Sequence, residues 1–138
     1  MKIDARVLLV MARHRRTALL EALEECTTHV LAASNCMEAQ SFLRSRLPFQ
    51  VIVTDTALPD GDWKTVIDAA GACQHAEVVV AIPSTDARRS GEIYRCGADV
   101  LFEPFDRDDV RCTIQSAVNA RYVRSGAAAT LMAAGPAL

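Results

Sequence analysis

Aromatic residues are scarce in this chain of 138 residues, at 5% of positions against 51% hydrophobic overall. A core built from it must be aliphatic, made of Val, Ile, Leu and Ala. The five cysteines, Cys26, Cys36, Cys73, Cys96 and Cys112, are odd in number, widely spaced and free of any Cys-x-x-Cys pair. Such spacing supports neither a zinc site nor a thioredoxin-type motif and leaves them as small apolar residues of a reducing compartment. His29 and His75 are isolated, with no ligand partners at metal spacing. No metal site and no cofactor are expected from these residues. An excess of charge of one sign is also missing: the formal net charge is −2. That removes a sequence-wide electrostatic case for direct nucleic-acid binding. No apolar run approaches a membrane span, and the start, Met-Lys-Ile-Asp-Ala-Arg, is no signal peptide. Both absences point to a cytoplasmic, bacterial protein. A Gly-rich phosphate loop is lacking too; after the first apolar run stands Met11-Ala12-Arg13-His14. No nucleophile–base pair occurs at a motif spacing, so an enzyme is not expected.

What is present is a regular alternation. Val7–Val10 predicts a first strand, and Arg13–Arg16 a basic turn. Leu19, Leu20 and Leu23 give helical spacing over 17–26. A strand follows at His29–Ala33, then Asn35 and Glu38 as a capping box opening a helix to Arg46, stopped by Pro48. Val51-Ile52-Val53-Thr54-Asp55 is a third strand ending in an acid. Trp63, Val66, Ile67 and Ala70 mark a helix over 62–73. Glu77–Ile82 is a fourth strand, and Thr85 or Asp86 caps a helix to Cys96 that Gly97 terminates. Gly91 makes that helix the softest. Val100-Leu101-Phe102 is the fifth strand, and Asp106 caps a last helix from Arg107 to about Arg124. Strand and helix alternate five times, which implies a parallel sheet with helices on both faces and right-handed crossovers. The tail, 125–138, is rich in Ala and Gly without a clear period and reads as a linker, a disordered end or a short interacting segment.

In an open parallel sheet, chemistry sits at the carboxyl ends of the strands. Asp55 is there, followed by Leu58-Pro59-Asp60-Gly61-Asp62. Gly97-Ala98-Asp99 precedes the fifth strand and Pro104-Phe105 follows it. In this order and spacing, the chain resembles the receiver domain of two-component response regulators over about residues 5–122, with 123–138 as a tail. The resemblance implies a flavodoxin-like, doubly wound (βα)5 fold of strand order 2-1-3-4-5. It also implies a cis peptide at Glu103-Pro104.

The same resemblance implies a site of five positions. Two acids after the first strand would hold Mg²⁺ with the acceptor Asp55. A hydroxyl at the end of the fourth strand and a lysine before the proline of the fifth would contact the phosphoryl group. The cations are needed because phosphoryl transfer to a carboxylate gathers anions. Only Asp55 keeps its type. Met11 and Ala12 fall on the acid positions, Ile82 on the hydroxyl and Glu103 on the lysine, unless a one-residue shortening has deleted the lysine position. Metal binding, charge neutralisation and the hydroxyl switch thus all fail together, a degenerate pseudo-receiver.

A half-buried Asp55 needs a partner. Arg13 and His14 are the candidates, replacing the metal; alternatively Asp55 serves as a turn-former bonded to the next backbone amide. The leading expectation is a signalling domain that binds a protein, such as a histidine kinase, an effector domain or a second copy. The family resemblance places the contact on the fourth helix, fifth strand and fifth helix: Arg88, Arg89, Glu92, Arg95, Leu101, Asp109 and Arg111. Two alternatives stand beside it: Asp55 is still phosphorylated by a histidine kinase, with Mg²⁺ as cofactor, or the chain is a small-ligand sensor or flavodoxin-like enzyme.

Overall fold

The computed structural model describes residues 1–73 and 76–134, with side chains described to residue 120 apart from residue 73. His75 and the last four positions of the tail lie outside the described residues. Five parallel strands form the sheet: β1 (Ile3–Val10), β2 (Thr27–Ala33), β3 (Val51–Asp55), β4 (Glu77–Pro83) and β5 (Asp99–Glu103). Their order is β2-β1-β3-β4-β5, the order expected. The helices are α1 (Arg13–Cys26), α2 (Cys36–Arg44), α3 (Trp63–Cys73), α4 (Ser90–Arg95) and α5 (Arg107–Ala134). A 3-10 turn, Ser84–Arg89, precedes α4, and a small antiparallel ladder pairs Ala57–Leu58 with Gly61–Asp62.

Side-chain alternation along the strands sorts the core into two layers. Leu8, Val10, Ile52, Val78, Val80, Ile82 and Val100 face one side, where α2, α3 and α4 add Ala39, Leu43, Trp63, Val66 and Ile93. Val7, Leu9, Val51, Val53, Val79, Ala81 and Leu101 face the other, where α1 and α5 add Leu19, Leu23, Val110 and Ile114. Nearly all of these are aliphatic, as the composition demanded. Trp63 is buried in the first layer, with Lys64 Nζ 5.5 Å from its ring centroid.

Several boundaries differ from the sequence reading. β1 starts at Ile3 and β2 at Thr27, because Ile3 pairs with Thr27 across a register shift. α1 starts at Arg13, so the expected basic turn is the first helical turn. α2 ends at Arg44; its N-terminus is capped as expected, Asn35 Oδ1 accepting from Glu38 N at 2.8 Å. Neither Thr85 nor Asp86 caps α4, since the non-helical backbone of Asp86 and the 3-10 turn intervene. Gly97 ends α4 with φ +86°, a left-handed conformation suited to glycine. Asp106 caps α5 in a reciprocal pair with Asp109, at 2.7 and 3.3 Å. α5 continues to Ala134, past Arg124, and the 122/123 division falls inside it. Among the described residues, no helix is long and apolar enough to cross a membrane.

Candidate functional site

The parity that sorts the core also builds the site. Val51, Val53 and Asp55 share one face of β3; Leu101 and Glu103 share the same face of β5. Both acids therefore stand at the carboxyl edge on the side covered by α1. On that helix Leu19, Ala22, Leu23 and Cys26 are buried, and Arg15 lies one turn before Leu19 on the same stripe. Its guanidinium reaches over the sheet edge and meets both acids.

Arg15 Nε donates to Asp55 Oδ2 at 2.6 Å, and Nη2 lies 3.4 Å from Oδ1. The same Nη2 contacts the Glu103 carboxylate at 3.3 and 3.4 Å. Asp55 is only 4% exposed, and its Oδ1 also accepts from the Thr56 amide at 2.9 Å. A buried carboxylate with two donors is thus satisfied by a cation and by the following turn at once. The Asp55 hydrogen bond holds the Arg15 guanidinium above its already high ordinary value. Glu103 precedes the cis peptide to Pro104 that the resemblance implied.

The partner of Asp55 is consequently Arg15, and neither Arg13 nor His14. Those two lie on exposed faces of the first turn of α1, rotated off the stripe that meets the sheet. An expected basic turn has no helical face by which to tell Arg15 from its neighbours, whereas α1 begins at Arg13. Arg16, the next residue, points elsewhere and donates to Ser34 Oγ at 3.0 Å.

The surroundings of Met11, Ala12 and Ile82 are as follows. Met11 is buried, its amide bonded to the Ala33 carbonyl at 3.0 Å. Ala12 is partly exposed and caps α1 without a side-chain bond. Ile82 is fully buried, in register with Phe102. Mg²⁺ does not fit this donor set: the two carboxylates gathered here, Asp55 and Glu103, are already bound by the Arg15 guanidinium. Among the described residues, no group of three or more His, Cys, Asp or Glu could hold a metal.

A second feature of the site escaped the sequence reading. Asp60, in the loop after β3, accepts from the amides of Cys36 and Met37 at 2.7 and 3.0 Å. These are orphan donors at the start of α2, and they hold the Asp60 carboxyl below the usual range. Gly61 follows; a Cβ there would come within 2.8 Å of Cys36 Sγ. Burial, with the Asp60 charge nearby, pushes the Cys36 thiol up to about 11. An acid in a Pro-Gly loop facing a helix start across the sheet edge gives no sequence signal.

The expected contact face is not one free surface. Leu101 is buried at 4% exposure, because its parity on β5 turns it toward α5. Arg89 pairs with Asp86 at 3.0 Å, and Glu92 with Lys64 at 2.7 Å. Arg111 donates to the Met1 carbonyl at 2.6 Å, and Asp109 is bound up in the α5 cap. Arg88 and Arg95 are exposed. The exposed apolar residues there are Tyr94 and Phe102, which the sequence reading did not select.

Comparison with solved structures places this architecture. A receiver domain protein from Clostridium thermocellum superposes with TM-score 0.74 at 20% identity, covering 86% of this chain and 98% of that one. The chemotaxis response regulator CheY4 of Vibrio cholerae gives 0.68 at 20%, covering 83% and 99%. The chain has a receiver-domain fold. A protein named as adenylate cyclase from Rhodopirellula baltica gives 0.80 at 19%, covering 94% and 98%. At these identities the likeness is one of fold. No protein-family model and no curated protein matches the sequence.

Proposed function

We propose that this protein is a degenerate receiver: a bacterial, cytoplasmic signalling domain that acts by binding a protein partner and not by Mg²⁺-dependent phosphorylation of Asp55. One observation carries the reading. The Arg15 guanidinium occupies the Asp55 carboxylate and, through the same nitrogen, Glu103. It supplies the neutralisation that a divalent ion would otherwise bring, and it covers the nucleophilic oxygen. A phosphoryl donor would have to displace it and then approach Glu103, whose charge repels the incoming phosphate. Partners in keeping with this reading are a histidine kinase, an effector domain or a second copy. No catalytic activity, membrane contact or direct nucleic-acid contact is proposed.

Incubation with acetyl phosphate or beryllofluoride plus Mg²⁺ tests the reading. Intact-mass measurement is expected to show no phosphoryl adduct, and the fluorescence of Trp63 no Mg²⁺-dependent change. An adduct mapped to Asp55 would establish the second reading, an acceptor served by a histidine kinase, and overturn this one.

A further inference from the structure

We infer that the first turn of α1 is a docking surface for an acidic segment of a protein partner. The inference rests on the protein-binding reading above and names the surface and the chemistry of what it meets. Arg13, His14, Arg15 and Arg16 are consecutive, in a chain whose overall charge is −2. Among the described residues, no carboxylate pairs with Arg13, His14 or Arg16, and the first turn contains no acid. Arg13 and His14 are exposed and Arg16 is partly so.

Two of the three guanidiniums are already immobilised. Arg15 is fixed by Asp55 and Glu103 through Nε and Nη2, which among the described residues leaves the N–H groups of Nη1 without a partner. Arg16 is fixed by Ser34 Oγ through Nη1, which among the described residues leaves its other N–H groups free. A guanidinium presents five donors in a rigid fork that suits carboxylates. Holding it in place beforehand removes much of the rotamer entropy that binding would otherwise cost. Helix stability does not explain the cluster, because cations at a helix N-terminus oppose the macrodipole. The acids close by are committed: Asp55 is buried beneath Arg15, Glu103 is bonded to it, and Glu38 accepts from the Ser34 amide at 3.0 Å. Charge complementarity therefore selects an acidic partner, and carboxylates suit the forked donors. A protein segment is favoured over nucleic acid because the basic surface is one helical turn long, whereas nucleic-acid binding calls for a basic stripe along a backbone.

The test is fluorescence anisotropy of the full chain with a labelled octaglutamate peptide at low salt, beside a single-stranded DNA octamer. Arg13→Glu and Arg16→Glu leave the Asp55 pair intact, and both should fold, since acids suit this position; circular dichroism verifies that. Each is expected to weaken peptide binding by about five-fold or more, while Arg88→Glu changes it by less than about two-fold. No saturable binding, or equal losses in all three variants, overturns the assignment. Tighter binding of the DNA with the same mutational pattern also overturns it, in favour of a nucleic-acid surface. A negative result here is separate from a phosphoryl adduct at Asp55, which concerns the reading beneath.

Discussion

At the scale of the residue, Arg15 ties two acids of different strands together. Its pair is asymmetric: the Asp55 side chain is 6% exposed and the Arg15 side chain 40%. Removing the arginine leaves a buried carboxylate with one amide donor; removing the aspartate leaves a guanidinium that water can reach. Arg15→Ala should therefore cost about 1–3 kcal/mol, below the figure for a fully buried pair because solvent screens the exposed half. Asp55→Asn in the Arg15→Ala background should recover part of that loss, since a neutral amide needs no cation. Urea denaturation of the two variants reads this directly, and a double variant no more stable than Arg15→Ala would count against the pair as the stabilising element. Legibility at this scale was uneven. Asp55 stands out as the acid that ends an apolar strand, whereas the positions at Met11, Ala12, Ile82 and Glu103 follow only from the resemblance, by the end of the first strand and by counting from Gly97 and Pro104. The need for a basic partner was read from burial. Which base it is depends on a helical phase that the run of four basic residues concealed.

At the scale of the element, the loop after β3 is fastened to α2 by Asp60. The hydrogen bonds from Cys36 and Met37 favour the ionised carboxylate, so its folded-state pKa is lowered. The sign follows from that direction. The stabilisation is fully present above the unfolded carboxyl value and is lost as pH falls through the lower, folded one. Asp60→Asn should thus melt below the unmodified protein at neutral pH, and the two melting temperatures should converge on acidification. A constant gap across the acid range would show that charge at Asp60 is not what holds α2. The elements themselves were legible where two signals coincide. The cap and the apolar period placed α2, and Asp106 placed the start of α5. The region after Pro83 was not, because Thr85 and Asp86 resemble caps while the backbone at Asp86 turns out of the helical region before α4 forms. Leu101 is buried and not on a contact face for a related reason: with helices on both faces of the sheet, Val100 and Leu101 are each covered by a different layer, and three apolar residues in a row do not show that only Phe102 is left exposed.

For the whole molecule, the sheet divides the core into two layers that share the strands. Leu8 belongs to the layer under α2, α3 and α4, and Leu9 to the layer under α1 and α5. Both are fully buried. Leu8→Ala and Leu9→Ala should each cost about 2–5 kcal/mol. A single domain of this size should lose both layers together. Trp63, the only tryptophan, reports on the Leu8 layer, and circular dichroism reports on all the helices. Their urea transitions should coincide in both variants; a Leu9→Ala protein whose tryptophan signal lags the helical signal would show that the layers unfold separately. The overall topology was the most legible level of all, since five alternations of strand and helix leave a doubly wound parallel sheet as the natural solution. Strand order came through the resemblance, because local spacing contains no information on which strands are neighbours.

Arg15 belongs to the chain, and that sets it apart from a dissolved ion. The occupancy of an ion site follows mass action and rises and falls with supply. A guanidinium attached to the helix beside its carboxylates has a fixed effective concentration, set when the chain folds. Its hold on Asp55 and Glu103 is therefore indifferent to whether the surroundings are rich or poor in divalent metal, and it is present from the moment α1 docks on the sheet.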